Sequence, residues 1–328
     1  MNPIFILTMG DPAGIGPQIA VNALCNSQER PYRVVVAGDL EVLQKAAELS
    51  GLSPVFKIIK DIEDASFAAI NVLDMGEIST SEFTVGIPQA QCGKAAYRYI
   101  TEAVSIVMDK KAAAVVTNPI SKESLKLAGI DYPGHTEIFA DKTNCDDYSM
   151  VFLLDNAAVA HVTTHVSLRS AIELVKKERV LKQIRLLSRS LKSLGIDPPH
   201  IAVGGLNPHA GESGLFGDEE IREIIPAIEQ AQSEGINASG PYPPDTVFNR
   251  AFKGEFNGVV AMLHDHGFVA LKSRDFEHGV NITVGLPIIR TSVGHGTAFD
   301  KAWKKGCDVS TASLLCAMDA AYRMTTPP

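Results

Sequence analysis

The sequence predicts an α/β protein in which a largely parallel sheet is covered by helices. Short apolar runs alternate with longer stretches whose apolar residues recur at helical spacing, and this order suits a parallel sheet with helical crossovers. The chain has 328 residues. At roughly 100 to 200 residues per domain, it should form two domains or one bilobal unit. No segment repeats at a fixed period and no linker is rich in Pro, Gly or Ser, so any boundary should lie within a compact fold.

The apolar runs predict the strands in chain order. They cover residues 4–8, 33–37, 55–59, 69–73, 113–117, 150–154, 158–163, 201–203, 258–263 and 286–290, and residues 280–284 form a further predicted strand. Three longer stretches carry one apolar stripe each and predict helices over residues 89–110, 178–194 and 300–323. Shorter helices are expected at Pro17, which suits a first turn, and after Ser121, a capping residue.

Composition and charge are those of a globular enzyme. The hydrophobic fraction of 45% and the charged fraction of 21% are ordinary, so neither disorder nor a fibre is indicated. A formal net charge of −8 opposes sequence-independent binding to nucleic acid, because that binding neutralises phosphates with Lys and Arg. The apolar runs are far shorter than the roughly 20 residues that span a bilayer, and no basic leader precedes them. A cytoplasmic location is therefore expected.

The five cysteines are odd in number and widely scattered, and no two of them form a Cys-x-x-Cys pair. Reduced thiols are expected rather than a disulfide framework or a structural zinc site. They are Cys25, Cys92, Cys145, Cys307 and Cys316.

Three histidines, His165, His209 and His264, each lie just beyond a predicted strand. In α/β proteins the carboxyl ends of strands face the ligand crevice, so side chains from distant segments can meet there around one ion. A single histidine in such a loop would as readily hydrogen-bond a backbone carbonyl. Three of them, with polar residues in comparable loops, favour a metal site. The polar residues are Asn207, Asp245 and Lys272.

The first loop, Thr8-Met-Gly-Asp-Pro-Ala-Gly-Ile-Gly-Pro-Gln-Ile, imitates a dinucleotide-binding fingerprint. Ile19 occupies the position of the third glycine, which normally allows close helix–strand packing, so the pattern fails there. Asp39, after the next strand, would be the ribose ligand if the loop were such a fingerprint. The alternative is a tight turn whose glycines permit positive φ.

Two later loops favour an anion. Thr117-Asn-Pro-Ile-Ser-Lys follows a strand and starts a helix, and helix starts attract anions. In Pro133-Gly-His-Thr-Glu, His135 and Thr136 could hold a phosphate or carboxylate, although Thr136 could instead cap the next helix.

Lys272, Asn281 and Arg290 recur at nine-residue spacing around the predicted strand 280–284. Lys and Arg are strong donors to oxyanions, so these residues could supply local positive charge in an acidic chain. Isolated surface cations remain the alternative.

Six separated blocks, in order, resemble the 4-hydroxythreonine-4-phosphate dehydrogenase (PdxA) family. The resemblance covers nearly the whole chain. The blocks are Thr8-Met-Gly-Asp-Pro-Ala-Gly-Ile-Gly-Pro, Thr117-Asn-Pro-Ile-Ser-Lys, Pro133-Gly-His-Thr-Glu, Gly205-Leu-Asn-Pro-His-Ala-Gly-Glu, Gly240-Pro-Tyr-Pro-Pro-Asp-Thr and Gly279-Val-Asn-Ile-Thr-Val-Gly-Leu-Pro.

The resemblance implies an isocitrate/isopropylmalate-dehydrogenase-like fold with two α/β lobes, the active cleft between them, and a homodimer. The first lobe would comprise residues 1–130 and 285–328, and the second residues 131–284. It also implies an NAD-dependent oxidation, with NADP possible, of the C3 hydroxyl of a 4-phosphorylated four-carbon acid to a β-keto acid that decarboxylates. The substrate implied first is 4-phosphohydroxy-L-threonine, of pyridoxal phosphate biosynthesis. The catabolic substrates 4-phospho-D-threonate and 4-phospho-D-erythronate are the alternative.

The resemblance also assigns residues to roles. One divalent metal (Zn, Co, Ni, Mn or Mg) would be held by the three histidines and shared across the subunit interface. From the chemistry of the oxidation, either Asp245 or Lys272 could take the substrate proton, and Asp245 is favoured as the base with Lys272 as substrate anchor or proton shuttle. The substrate contacts would be His135, Thr136, Lys272, Asn281 and Arg290. The cofactor contacts would be Asn207, Gly294, His295, Gly296, Thr297 and Asp300, most of them in a His-Gly-Ser/Thr-Ala loop.

The chain departs from the family pattern at two places. Leu263-His-Asp-His-Gly replaces the usual Tyr-His-Asp-Gln-Gly, so His266 stands where an amide is common, and Gly294 stands where an acidic residue is common. The change beside a metal ligand bears on substrate choice, although His266 could also be an outer hydrogen-bond partner. Some relatives act on aromatic cis-dihydrodiols. A zinc hydrolase and a phosphate acyltransferase are the alternatives from other enzyme classes.

Overall fold

The computed structural model describes residues 2–25, 30–155, 157–305 and 309–326. These residues form two compact units, Met1–Asp147 with Leu286–Thr325, and Tyr148–Gly285. The first boundary predicted from sequence lies at residue 130. Helices flank a largely parallel set of strands in each unit, so the predicted α/β fold class is confirmed. In the described ranges, no helix has the length and apolar character to cross a membrane.

The strands follow the predicted apolar runs closely. They are β1 (Ile4–Thr8), β2 (Arg33–Gly38), β3 (Phe56–Ile58), β4 (Ile70–Asp74), β5 (Ala114–Thr117), β6 (Ser149–Leu154), β7 (Ala157–His161), β8 (Ile201–Gly204), β9 (Ala238–Tyr242), β10 (Gly258–Ala261), β11 (Val280–Val284) and β12 (Ile289–Val293). The predicted strand 286–290 begins three residues later than expected. The strand β9 was not expected, because Gly240 and Pro241 interrupt its apolar pattern.

The helices are longest where the sequence carries one continuous apolar stripe. They are α1 (Gly16–Cys25), α2 (Leu40–Leu49), α3 (Ala90–Met108), α4 (Lys122–Leu127), α5 (His135–Lys142), α6 (Leu168–Leu174), α7 (Lys177–Ser193), α8 (Ile225–Ser233), α9 (Val247–Phe252), α10 (His264–Arg274) and α11 (Ala312–Thr325). Ser121 caps α4 as predicted, since its side chain accepts a hydrogen bond from the Ser124 N–H.

The predicted helix over 300–323 is wrong in its first half. Residues 301–305 form turns, and the helix begins only at Ala312. Trp303 has a left-handed φ of 59°, which a continuous helix cannot contain. Tertiary hydrogen bonds to Trp303 hold this turn, so local helical preference is overridden.

The first unit has six parallel strands in the order β3-β4-β2-β1-β5-β12. All five residues of β1 are buried, as expected for a central strand covered on both faces. The helix α3 packs against β1 and β2, and α11 packs against β5 and β12. Register places Thr8 beside Thr117 and Thr117 beside Ser292, so β1, β5 and β12 end at one edge.

The second unit has the strand order β11-β6-β7-β10-β8-β9. Its strands are parallel except that β6 runs antiparallel to both of its neighbours, β7 and β11. The long helix α7 packs on this sheet with its apolar side buried and its Lys and Arg residues outward. A core of Phe152, Phe248, Phe256 and aliphatic side chains joins the sheet to α9 and α10.

Cys25, Cys92, Cys145 and Cys316 lie within the described residues, and no disulfide joins any two of them. The fifth, Cys307, lies outside the described residues, as does part of the predicted helix over 300–323.

Candidate active site

The three histidines predicted as metal ligands follow three adjacent parallel strands of the second unit. β10 pairs with β7 on one side and with β8 on the other. His165 follows the carboxyl end of β7, His264 that of β10 and His209 that of β8. The predicted placement at strand ends is therefore confirmed. In open α/β sheets, ligands bind outside these ends.

Two of these histidines lie together. The ring centroids of His165 and His264 are 5.8 Å apart. His264 begins α10, and its Nδ1 lies 2.7 Å from Oδ1 of Asp265. A carboxylate in this position fixes the orientation of an imidazole whose other nitrogen faces a metal. This pair fits a metal site in its donor chemistry.

The third histidine, His209, sits in an unusual turn. Five consecutive residues, 209–213, have positive φ between 42° and 80°. Left-handed backbone costs roughly 1–2 kcal/mol for each residue other than glycine, so other contacts must hold this turn in place. Glu220, which is 2% exposed, does so: its Oε1 accepts the N–H groups of Leu206 and Asn207, each at 2.7 Å.

Asn207, predicted to contact the cofactor, is also part of this support. Its Nδ2 donates to Glu219 at 2.7 Å and to Glu220 at 2.9 Å. These contacts tie the side-chain nitrogen to the loop itself. No pattern in the sequence pointed to Glu220, because a single glutamate after a loop has no distinguishing context.

Within the ranges that the structure describes, no three His, Cys, Asp or Glu side chains are grouped closely enough to hold a metal ion. His209 lines one cavity, and His165 and His264 line another. Asp265 lines both. One chain therefore brings together two of the three expected ligands.

The cavity that contains His209 has a volume of about 870 Å³ and also contains Asp245, the predicted base. Asp265 and His266 line it too, and Phe248 and Phe252 form part of its apolar wall. Among the described residues, His266 Nδ1 is buried and has no hydrogen-bond partner, and burial lowers the pKa of His266. The replacement of the family amide thus places a neutral imidazole in the same cavity as Asp245.

The other predicted residues of this unit lie on α10 and β11. Lys272 is exposed near the end of α10, with its Nζ 5.6 Å from the centroid of the Phe268 ring and 5.8 Å from that of Phe276. Asn281 lies on β11 opposite Phe152 of β6, with its Oδ1 buried.

His161 was not predicted, because it lies inside an apolar run. It is 4% exposed at the end of β7, and its ring stacks on Phe268 with centroids 4.6 Å apart and planes 5° apart. A side chain at Gly267 would overlap this ring. Burial and neighbouring histidines lower the pKa of His161 to about 3, so it is a neutral packing partner beneath His264, 6.2 Å away between centroids.

The first unit carries a second group of predicted residues, centred on Arg290. This side chain is 2% exposed, and burial lowers its pKa to about 9. Its Nη2 donates to Thr117 Oγ1 at 2.7 Å, and its guanidinium lies 5.3 Å from the centroid of the Phe139 ring. The arginine still carries its charge at neutral pH, and the carboxylate of Glu137 acts against the effect of burial by raising the pKa of Arg290.

Buried polar atoms around this strand edge are left without protein partners among the described residues. They are Thr8 Oγ1, both side-chain polar atoms of Asn118 and His135 Nε2. Burial and the charge of Arg290 hold the pKa of His135 well below its usual range, so it is neutral. Since buried polar groups are nearly always paired, a cluster of such atoms fits a place that a ligand or ordered water completes.

The helix α5 begins at this site. His135 and Thr136 are its first two residues, and Gly134 is its N-cap, so Thr136 does not cap the helix. Helix starts have unpaired N–H groups and favour anions. Together with the charge of Arg290, this fits a phosphate or carboxylate. Thr8 and Asn118 were missed as single residues, although the sequence indicated an anion at the loop that contains Asn118.

The predicted cofactor loop, residues 294–300, follows β12 at the same edge. Gly294 N–H donates to Ser313 Oγ at 2.8 Å, and His295 Nδ1 lies 3.0 Å from the Gly296 carbonyl oxygen. Burial lowers the pKa of His295. A Cβ on Gly296 would meet nothing within 4 Å, so a ligand can approach the backbone there. Asp300 is exposed at the end of the loop.

Asp39, the candidate ribose ligand of a dinucleotide fold, has another function. It is 2% exposed, and its carboxylate accepts the N–H groups of Glu77 and Ile78 at 2.8 and 3.2 Å and the hydroxyl of Tyr99. These three bonds secure the segment after β4. The interpretation of Asp39 as a ribose ligand is therefore wrong.

Asp11, in the first glycine loop, gives a prediction about stability. It is fully buried, and burial raises its pKa to about 6 from 3.8. A carboxyl with a raised folded-state pKa contributes fully to stability below about pH 3.8, and the contribution is lost as the pH rises through about 6. Asp11→Asn should therefore raise the free energy of unfolding at pH 7.5 by up to about 3 kcal/mol, with the gain vanishing near pH 4.

Denaturant unfolding at the two pH values measures this difference. Asp131→Asn, which removes an exposed carboxylate from the same unit, is the matched control. An equal effect of Asp11→Asn at both pH values would contradict the burial of a charge at this position.

Comparison with known proteins gives the family. A family model described as pyridoxal phosphate biosynthetic protein PdxA matches residues 30–321. D-threonate 4-phosphate dehydrogenase of Pectobacterium atrosepticum is 45% identical over 306 residues, which are 92% of this chain and 94% of that protein. The structure of 4-hydroxythreonine-4-phosphate dehydrogenase from Klebsiella pneumoniae is similar with a TM-score of 0.88 and 41% identity, over 99% of this chain and 100% of that one. Terephthalate 1,2-cis-dihydrodiol dehydrogenase from Burkholderia xenovorans LB400 is more distant, with a TM-score of 0.68 and 26% identity over 98% of both chains. The chain therefore belongs to the PdxA family of dehydrogenases.

Proposed function

We propose that this protein is a metal-dependent NAD oxidoreductase that oxidises the C3 hydroxyl of a 4-phosphorylated four-carbon acid. The observation that carries the proposal is the buried anion site of the first unit. A charged arginine, a neutral histidine and unpartnered polar atoms meet there at the end of β1, β5 and β12. A phosphate would complete their hydrogen bonds.

The phosphate fits this site better than a neutral group would. Arg290 supplies the positive charge, and Thr8, Asn118 and His135 supply donors. The start of α5 adds N–H groups and Thr136. Because the donors are already fixed by buried packing, little ordering is required when the substrate binds.

The loop 294–300 would hold the adenosine part of NAD. Two observations support this role. A ligand has open space beside the backbone at Gly296, and a hydrogen bond from the Gly294 N–H to Ser313 fixes the backbone at Gly294. The nicotinamide would accept the hydride from C3. A phosphate acyltransferase would also need an anion site, but it would not need paired histidines at strand ends.

The metal would be held by His165 and His264, with Asp265 orienting His264. His209 would complete the set from a second copy of the chain, in a homodimer. Exposed apolar side chains flank these histidines in the sequence and support burial of this surface by a partner; they are Val166, Leu168, Leu215 and Phe216. When bound, a divalent cation would lower the pKa of the substrate alcohol and stabilise the enolate that decarboxylation leaves.

Asp245 would remove the proton of the C3 hydroxyl as the C3 hydrogen leaves as hydride. It is exposed in the cavity that His209 lines, where a substrate can reach it. Lys272 would anchor the substrate carboxylate or pass on the proton. Oxidation at C3 gives a β-keto acid, which loses carbon dioxide readily.

For the substrate itself, we propose D-threonate 4-phosphate, on the basis of the 45% identical relative that bears this name. 4-Phosphohydroxy-L-threonine is the second candidate, supported by the name of the similar Klebsiella structure. The two differ at C2, where one has a hydroxyl and the other an ammonium. The imidazole of His266 stands in the cavity beside Asp245, and we propose that it contributes to this choice.

The test is to incubate the pure protein with NAD and each substrate, and to follow NADH by absorbance. We expect NADH only with the 4-phosphorylated acids, more turnover of D-threonate 4-phosphate, and loss of activity after chelation that Zn, Co, Ni or Mn restores. D-erythronate 4-phosphate serves as a third substrate. Ester cleavage without NADH formation would instead indicate a hydrolase.

A further inference from the structure

The first glycine loop, residues 10–16, has no role in the function proposed above, although it resembles a nucleotide-binding turn. Every residue of this loop is buried. A loop that cradles a pyrophosphate must present free N–H groups to it. The hydrogen bonds of this loop show whether it can.

Four of the six N–H groups in residues 10–16 donate hydrogen bonds within the protein. Asp11 N–H donates to the Pro119 carbonyl at 2.9 Å, and Gly14 N–H donates to the Asp11 carbonyl at 3.0 Å. Ala13 N–H donates to Asp11 Oδ1 at 3.0 Å, and Ile15 N–H donates to the Thr297 carbonyl at 3.0 Å. Pro12 has no N–H group. These bonds leave few donors in the loop for a pyrophosphate, which opposes its interpretation as a dinucleotide fingerprint.

One side of the loop contacts the cofactor loop. Besides the bond from Ile15 to Thr297, a Cβ added at Gly14 would lie 3.0 Å from the Thr297 oxygen and 3.1 Å from its Cβ. The turn that follows the cofactor loop is held in the same way. Trp303 Nε1 donates to the Pro12 carbonyl at 3.1 Å, and Trp303 N–H donates to Gln18 Oε1 at 2.6 Å.

The other side of the loop contacts the anion site. Ser124 Oγ donates to Asp11 Oδ2 at 2.8 Å, and the Pro119 carbonyl accepts the Asp11 N–H. A Cβ added at Gly10 would lie 3.1 Å from the Asn118 Cβ, and one added at Gly16 would lie 3.4 Å from it. Asn118 is one of the unpartnered residues of the anion site. The same short segment thus packs against both binding features of the first unit.

We propose that residues 10–16 form a positioning platform, which fixes the loop 294–300 relative to the anion site and does not itself touch the nucleotide. A side chain at position 14 would displace Thr297 by a few tenths of an ångström, because a Cβ there would lie 3.0 Å from the Thr297 carbonyl oxygen. This inference rests on the proposed binding of NAD by residues 294–300. Gly14 and Gln18 should affect the affinity for NAD without contacting it. The reason is that binding groups must be held within about 0.5 Å of their working positions.

The experiment measures NADH affinity through Trp303, the single tryptophan of the chain, whose emission bound NADH should quench by energy transfer. Gly14→Ala should raise the dissociation constant of NADH about tenfold. Gln18→Leu, which removes the acceptor for the Trp303 N–H without adding a Cβ to the loop, should weaken binding in the same direction. Calorimetric titration with NADH checks that the signal reports affinity and not a change in tryptophan environment.

Gly258→Ala is the matched control. A Cβ there would lie 2.9 Å from Leu187 Cδ2, so the variant also crowds a buried contact, but in the second unit and not against residues 10–16 or 294–300. It should lower the melting temperature as Gly14→Ala does and leave NADH affinity unchanged. If Gly14→Ala and Gln18→Leu bind NADH like the wild type, or if Gly258→Ala loses the same affinity, the proposed role of residues 10–16 is wrong while the proposed function stands. Failure of the wild type to bind NADH would overturn both.

Discussion

Asp245→Asn is expected to lower kcat by about 10²- to 10⁴-fold, the range typical for loss of a general base. Asparagine keeps the size and shape of the side chain but cannot accept the proton of the substrate hydroxyl. Asp245 lies in the turn two residues before α9, in the cavity lined by His209, and its side chain is exposed. The fold and the dissociation constant of NADH should therefore stay unchanged, and steady-state and binding measurements separate these effects.

Two further variants test whether Asp245 is the residue that accepts the proton. Asp197→Asn removes an exposed carboxylate of the same unit that pairs with Lys192 at 3.6 Å, and should leave kcat unchanged. Lys272→Met should mainly raise KM, because we assign Lys272 to anchoring the substrate. If Asp245→Asn retains kcat while Lys272→Met loses it, the proton acceptor is Lys272 and the assignment of Asp245 is wrong.

Most of the strands could be predicted because buried parallel strands have short apolar runs that are hard to mistake. β1 is an example: all five of its residues are buried, and the first four are apolar. β9 lacked this signal, because Gly240 has no side chain and Pro241 has no backbone N–H. Both are tolerated because β9 lies at the edge of the sheet. The start of α11 was misplaced because Trp303 is held in a turn by residues almost 300 positions earlier, which no local pattern shows.

The site could be predicted as a set of residues but not as an arrangement. The positions of His165, His209 and His264 after strands were readable, because strand ends and histidines are both visible in sequence. The left-handed turn at His209 and its support by Glu220 were not readable, since they depend on burial. Equally, Thr8 and Asn118 are ordinary residue types, and only their buried atoms, which have no partner among the described residues, mark them as part of the proposed anion site.

Arg290→Met should raise KM for the phosphorylated substrate by about 10- to 100-fold, which corresponds to about 1.5 to 3 kcal/mol for a lost charged hydrogen bond. Methionine fills much of the buried volume against Phe139 but provides neither charge nor donors. Because Arg290 also lowers the pKa of His135, the variant should let His135 regain a proton at a higher pH than in the wild type. NMR titration of His135 reports this second effect independently of turnover.

The unphosphorylated acid is the control substrate for this variant. Its kcat/KM should be low in both proteins and should change little between them, because Arg290 is assigned to the phosphate alone. Arg290→Lys retains the charge without the planar fork, so its KM should fall between the other two. Equal losses on the phosphorylated and unphosphorylated acids would mean that Arg290 supports the structure around Thr117 rather than binding phosphate. In that case the unpartnered atoms of Asn118 and His135 would need a different ligand, and the proposed substrate class would fail with them.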